Sequence, residues 1–212
     1  MINILCFGDS NTFGTAPTGG RWDREHRWTG ILQRRLGEGF YVIEEGCGGR
    51  TTVWEDPLEL DKNGRAQLPV ALRSHRPLDL VVLMLGTNDM KRRFNLLPVD
   101  IAQGAAELGI LAQRYDYGPD YPVPRILLIS PILIREGIEG SAYTGFTADA
   151  VETSRRLAPL YRAQAEKHGW LYLDAAEVAR ASERDKLHME AEDHRALALE
   201  VERVIRERFR FG

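Results

Sequence analysis

Five short stretches of the chain are apolar on nearly consecutive positions, and each gives way to a residue that breaks regular structure. Residues 2–7 stop at Gly8, 40–43 end ahead of Gly46, 78–85 stop at Gly86, 125–129 end before Pro131, and 170–173 stop at Asp174. Runs this short, apolar without alternation, predict strands buried on both faces. Between them the apolar spacing lengthens to three and four. Trp28, Ile31, Leu32 and Leu36 predict a helix that stops at Gly37, and a short helix fits 68–74. Residues 100–114 place Ile101, Ala105, Leu108, Leu111 and Ala112 on one stripe. Residues 147–168 place Val151, Leu157, Leu160, Tyr161 and Ala165 together, with Gly169 as C-cap, and 192–209 do the same with Leu197, Val201, Val204 and Ile205. Pro159 is expected to kink or shorten the helix that contains it.

Strands alternating with helices predict βαβ units and a parallel sheet. The expected fold is a three-layer α/β/α arrangement with a five-stranded parallel sheet in the flavodoxin-like order 2-1-3-4-5. Residues 1–212 contain no linker, repeat or low-complexity stretch and read as a single domain. Longer loops at 15–27, 116–124 and 132–146 are the expected pocket builders.

Composition narrows the partners. Hydrophobic residues at 43% and charged residues at 28% exclude a disordered chain. The net charge of -3 argues against a general nucleic-acid binder. No apolar run approaches the ~20 residues of a membrane span. Two cysteines, Cys6 and Cys47, cannot make a disulfide framework, and the first residues show no basic leader or cleavage site. The expectation is a cytoplasmic protein without membrane or nucleic-acid partners.

In an open α/β sheet, ligands bind beyond the carboxyl ends of the strands. The residues there are Gly8-Asp9-Ser10-Asn11, then Gly46-Cys47-Gly48-Gly49, then Gly86-Thr87-Asn88-Asp89, and in the last loop Asp185-Lys186-Leu187-His188. Singly, each has an ordinary structural reading. Ser10 would be a helix N-cap, Gly48 a turn former, Asn88 a strand-end turn residue, Asp185 a cap for the last helix, and His188 a surface histidine. Asp9 and Asp89 read as structural acids that bind backbone N–H groups around the site. Cys47 reads as a small buried thiol, and the glycines around it lack the spacing of a phosphate loop. His26, His75, His168 and His194 show no metal-ligand spacing.

Together, in this order, the four blocks resemble the SGNH (GDSL-type) hydrolase family over nearly the whole chain. Arg27-Trp28-Thr29-Gly30, Glu44-Glu45-Gly46 and Arg50-Thr51-Thr52 look like its arylesterase and acyltransferase branch. The resemblance implies a serine esterase acting on short-chain acyl esters, acetyl or aryl, through an acyl-enzyme. It implies Ser10 as nucleophile, His188 as general base and Asp185 as the acid that orients the imidazole. The oxyanion donors it implies are the backbone N–H groups of Ser10 and Gly49 and the side-chain amide of Asn88. It calls for no cofactor and no metal. The chemistry agrees, since a serine hydroxyl needs a base with a pKa near neutrality, and a residue without Cβ lets its N–H approach a tetrahedral oxygen.

One or two of Phe13, Trp54 and Phe94 are expected to line the acyl pocket. Gly14 and Thr15 leave no second bulky aromatic there, which favours water over an alcohol as acceptor. An acyltransferase and a carbohydrate O-deacetylase share this triad and stay open, as does a non-catalytic binding module on a flavodoxin-like scaffold. The partner that the resemblance implies is a small-molecule ester. The oligomeric state also stays open, because the branch often forms homo-oligomers in which neighbouring subunits narrow the pocket. Of the two histidines near the C-terminus, His188 is expected to be the base and His194 a helix-surface or first-turn packing residue.

Overall fold

The computed structural model describes residues 1–209. The chain runs β1 (Ile2–Gly8), α1 (Ser10–Phe13), α2 (Trp28–Leu36), β2 (Phe40–Gly46), α3 (Gly64–His75), β3 (Leu80–Met84), α4 (Pro98–Arg114), β4 (Arg125–Ser130), α5 (Asp149–His168), β5 (Leu171–Asp174) and α6 (Ala191–Arg208). The five strands form one parallel sheet in the order β2-β1-β3-β4-β5, as the apolar runs predict.

Alternate residues of each strand feed opposite layers. Leu5, Phe7, Val81, Leu83, Ile126 and Leu128 pack with α3, α4 and α5 through residues such as Leu72, Leu108 and Tyr161. Ile4, Cys6, Val82, Met84, Leu127 and Ile129 pack with α2 and α6 through Trp28, Leu32, Leu197 and Val201. Both faces are therefore covered, which is why these strands show no apolar–polar alternation in sequence. Among the described residues, no helix is long and apolar enough to cross a membrane.

Several boundaries differ from the expectation for identifiable reasons. The second strand continues through Glu44 and Glu45 to Gly46 because polar partners receive their side chains. Glu44 accepts from Arg27 Nε and from Thr29 Oγ1 at 2.7 Å, and Glu45 meets His75 Nε2 at 2.8 Å. The helix expected at 68–74 starts earlier, where Asn63 caps it by accepting from the Arg65 N–H. Pro159 lies inside α5 without shortening it. Its flanking neighbours Leu157 and Tyr161 are fully buried, so packing outweighs the ~3 kcal/mol that an interior proline costs. The 116–124 loop leads into the amino end of β4, away from the strand ends that carry the four blocks, and takes no part in the site.

His194 is not a surface residue. It lies in the first turn of α6 at 0% exposure, and its Nδ1 accepts from the backbone N–H of Trp28 at 3.3 Å. Trp28 opens α2, so a histidine from one helix satisfies an otherwise unpaired N–H at the start of another. The ring must be neutral to accept. Burial, aided by the charges of His188 and Arg27, pushes its pKa down from 6.5 to about 3. Between those two values the unfolded chain binds a proton that the folded chain refuses, so this stabilisation is complete above pH 6.5 and is lost as pH falls. His194→Asn keeps an oxygen acceptor without the titration. Urea midpoints at pH 7 and 4.5 should show wild type losing ~2 kcal/mol more than the variant. Parallel losses in the two proteins would rule the titration out.

Candidate active site

The strand ends bring the four blocks to one edge of the sheet. Asp9, not Ser10, caps α1 by accepting from the Asn11 N–H at 2.9 Å. That leaves the Ser10 hydroxyl for another partner, and His188 Nε2 lies 2.9 Å from Ser10 Oγ. On the far side of the ring, His188 Nδ1 lies 2.6 Å from Asp185 Oδ2. The other carboxylate oxygen, Oδ1, accepts from the backbone N–H groups of Leu187 at 3.0 Å and His188 at 2.9 Å. Burial works to raise the pKa of Asp185, but these hydrogen bonds outweigh it and hold the carboxyl below the ordinary value. An ionised Asp185 fixes the proton of His188 on Nδ1 and leaves Nε2 able to accept from the serine hydroxyl. Asp185 therefore does not cap α6, whose N-cap is Glu190.

The glycine turn comes from the end of β2. The Arg50 N–H bonds the Cys47 carbonyl at 3.1 Å, closing a turn in which Gly49 has φ +81°. That backbone region belongs to glycine, so the turn's shape as well as its missing Cβ explains the residue. Gly48 has no positive φ, and its carbonyl accepts from Lys62 Nζ at 2.8 Å. Among the described residues, neither the Ser10 nor the Gly49 N–H donates to another protein group. Asn88 gives one amide hydrogen to the Arg50 carbonyl at 3.1 Å, which orients the side chain and leaves the second hydrogen over.

Asp9 and Asp89 hold backbone N–H groups, as expected. Asp89 accepts from the Thr52 N–H and hydroxyl, tying the turn after β3 to the loop after β2. Its burial outweighs those bonds and pushes its pKa up to about 6. Burial raises Asp9 as well.

Ser10, Gly49, Asn88 and His188 open onto a cavity of about 320 Å³. Two larger cavities, near 600 and 560 Å³, lie on other surfaces and contain none of these groups. Phe13, Trp54 and Phe94 do not line the active-site cavity. Phe13 lies under the Arg21 guanidinium at 4.0 Å, and all three are half-buried elsewhere. The apolar lining comes instead from Tyr143, Phe146 and Leu187. Tyr143 meets the His188 ring edge-on, with centroids 5.1 Å apart. The rest of the wall is polar, with Thr15, Glu59, Lys91, Arg93 and Thr144. Lys91 bonds Glu59 at 3.0 Å, and Arg93 bonds the buried Asp56 at 2.9 Å.

A hydroxyl, an imidazole and a carboxylate in one hydrogen-bonded line, beside unused N–H donors at the carboxyl edge of such a sheet, define a serine hydrolase. The comparisons make this particular. The model of the GDSL-like Lipase/Acylhydrolase family matches residues 6–196, and the chain belongs to that family as a carboxylic ester hydrolase of the SGNH/GDSL type acting on small acyl esters. Among solved structures it is similar to a carbohydrate acetylesterase family member from Sinorhizobium meliloti, with 39% identity, TM-score 0.91 and 98% of each chain covered. It is also similar to an aryl esterase of M. smegmatis, with 34% identity, TM-score 0.90, and 98% of this chain and 99% of that one covered. A search of the curated proteins found no match.

Arg50 holds the strand ends in place. Its Nη1 donates to the carbonyls of Gly8, at 2.9 Å, and Glu45, its Nε donates to Gln67 at 2.7 Å, and the guanidinium lies 4.0 Å over the Phe7 ring. Arg50→Met keeps the bulk and removes every side-chain donor. The urea midpoint should fall by the equivalent of about 2–4 kcal/mol with an unchanged m-value. A loss below ~0.5 kcal/mol would place the organising interaction elsewhere.

Proposed function

We propose that Ser10 is the nucleophile of a two-step hydrolysis of short acyl esters, with His188 as general base and Asp185 as the acid that orients it. The observation that carries this reading is the unbroken line from Asp185 through His188 to Ser10. His188 takes the Ser10 proton as Oγ attacks the ester carbonyl, and returns it to the leaving alcohol. The acyl-serine is then hydrolysed by a water activated by the same ring. The Ser10 and Gly49 N–H groups and the remaining Asn88 hydrogen receive the oxyanion.

The size of the cavity and its wall of Tyr143, Phe146 and Leu187 favour a short acyl group. The charged and hydroxyl-bearing remainder of the wall favours a polar alcohol, and a relative named a carbohydrate acetylesterase points the same way. An O-deacetylase acting on a hydroxyl-rich alcohol is therefore the second reading within the same chemistry.

A p-nitrophenyl ester panel tests the first reading. Acetyl and propionyl esters should turn over faster than octanoyl esters, and Ser10→Ala should lower the acetyl rate by several orders of magnitude while remaining folded. Near-native turnover by clean Ser10→Ala would remove the mechanism. The oxyanion assignment has its own test. Asn88→Ala should lower kcat about a hundredfold or more with little change in KM, because the amide meets charge only as it develops. A change confined to KM would make Asn88 a ground-state contact.

A further inference from the structure

The segment that carries His188 has no unpaired backbone group from Leu187 to Met189. The Leu187 and His188 N–H groups go to Asp185, and the His188 carbonyl accepts from the Ser182 N–H at 2.7 Å. The Leu187 carbonyl accepts from Asn11 Nδ2 at 3.3 Å, and the Met189 N–H donates to Asn11 Oδ1 at 3.2 Å. The Met189 carbonyl accepts from Trp22 Nε1 at 3.2 Å. Asn11 is 2% exposed, and its side-chain amide pairs with the two groups flanking His188 as a neighbouring strand would. The opposite amide orientation would set oxygen against oxygen, so the geometry admits only this one.

We propose that Asn11 is a positioning residue for the reaction. It adjoins Ser10 in α1, so a single short piece of backbone carries both the nucleophile and the clamp on the base. The distance from Ser10 Oγ to His188 Nε2 is then set locally, across one amide, instead of through the 178 residues that separate the two in sequence. Without the amide, the Leu187 carbonyl and the Met189 N–H lose their buried partners, and the ring of His188 can tilt away from the hydroxyl. Such a tilt slows proton transfer, while the parts of the cavity wall that come from other segments, Tyr143 and Phe146 among them, stay in place to bind the ester. The effect therefore falls on kcat.

This rests on the triad reading, and the experiment separates the two. Asn11→Leu fills the space without a polar atom; Asn11→Thr is the milder variant should the leucine protein not fold. Both are assayed on p-nitrophenyl acetate beside Ser10→Ala, with circular dichroism and a urea titration to certify folding. The variant should lose about tenfold or more in kcat with KM within about twofold, as a small misplacement of a reacting group does. The downfield proton NMR signal of the His188 Nδ1–H should broaden as the ring loses its fixed seat. A folded variant with less than about a fivefold loss in kcat, or with a loss confined to KM, overturns the proposal. Activity persisting in Ser10→Ala overturns the triad reading instead.

Discussion

The site depends on a buried positive charge. Arg50 is 5% exposed, a state that is unfavourable for a guanidinium unless it is hydrogen-bonded. Here Nη1 binds the carbonyls of Gly8, at the end of β1, and of Glu45, near the end of β2, Nε binds the side chain of α3 residue Gln67, and the guanidinium covers the face of Phe7. The same residue closes the glycine turn through its N–H and orients Asn88 through its carbonyl. One residue thereby sets the relative positions of the strand that leads to Ser10, the turn that presents Gly49, and the amide that completes the donor set. Removing the charge would take away the one side chain that bridges the two strand ends, and the Gly8 carbonyl would be left with the Cys47 N–H alone.

The sheet was legible in sequence because its strands are buried on both faces, and a double-faced strand writes itself as an uninterrupted apolar run. Where that rule lapses, the reading stops short: Glu44 and Glu45 sit inside β2 but pair with Arg27, Thr29 and His75, and polarity alone cannot reveal such partners. The hydrogen-bonded line from Asp185 through His188 to Ser10 was legible because Asp185 and His188 are close in sequence and Ser10 follows a strand. The pocket was not. Phe13 is near Ser10 along the chain, yet its ring turns to Arg21, while Tyr143 and Phe146 reach the cavity from a loop more than a hundred residues later. Side-chain direction in a loop has no period to read. Asn11 was visible as part of the first block but its role was not, since both its partners are backbone atoms of a distant segment.

Two buried acids near the site meet burial with different results. Asp185 receives two backbone N–H groups and the imidazole, enough to stay ionised. Asp89 receives the Thr52 N–H and hydroxyl but also feels the charge of Asp9, and burial prevails. The difference suits their tasks. Asp185 must be an anion to hold the proton on the far side of His188, whereas Asp89 only has to join two loops, which a neutral carboxyl that keeps an acceptor oxygen still does.

The cavity wall combines two kinds of side chain. Tyr143, Phe146 and Leu187 give it an apolar part, with Tyr143 edge-on to His188, and the ion pairs of Glu59, Lys91 and Arg93 give it a charged one. Within the ion pairs, the charges of Lys91 and Arg93 are met by Asp56 and Glu59, so the wall is polar without a net field that would demand a charged ester. A wall of this kind offers hydrogen-bond donors and acceptors at fixed positions and a small apolar surface around the scissile bond. Those two properties are what support the proposed short acyl group and hydroxyl-bearing alcohol.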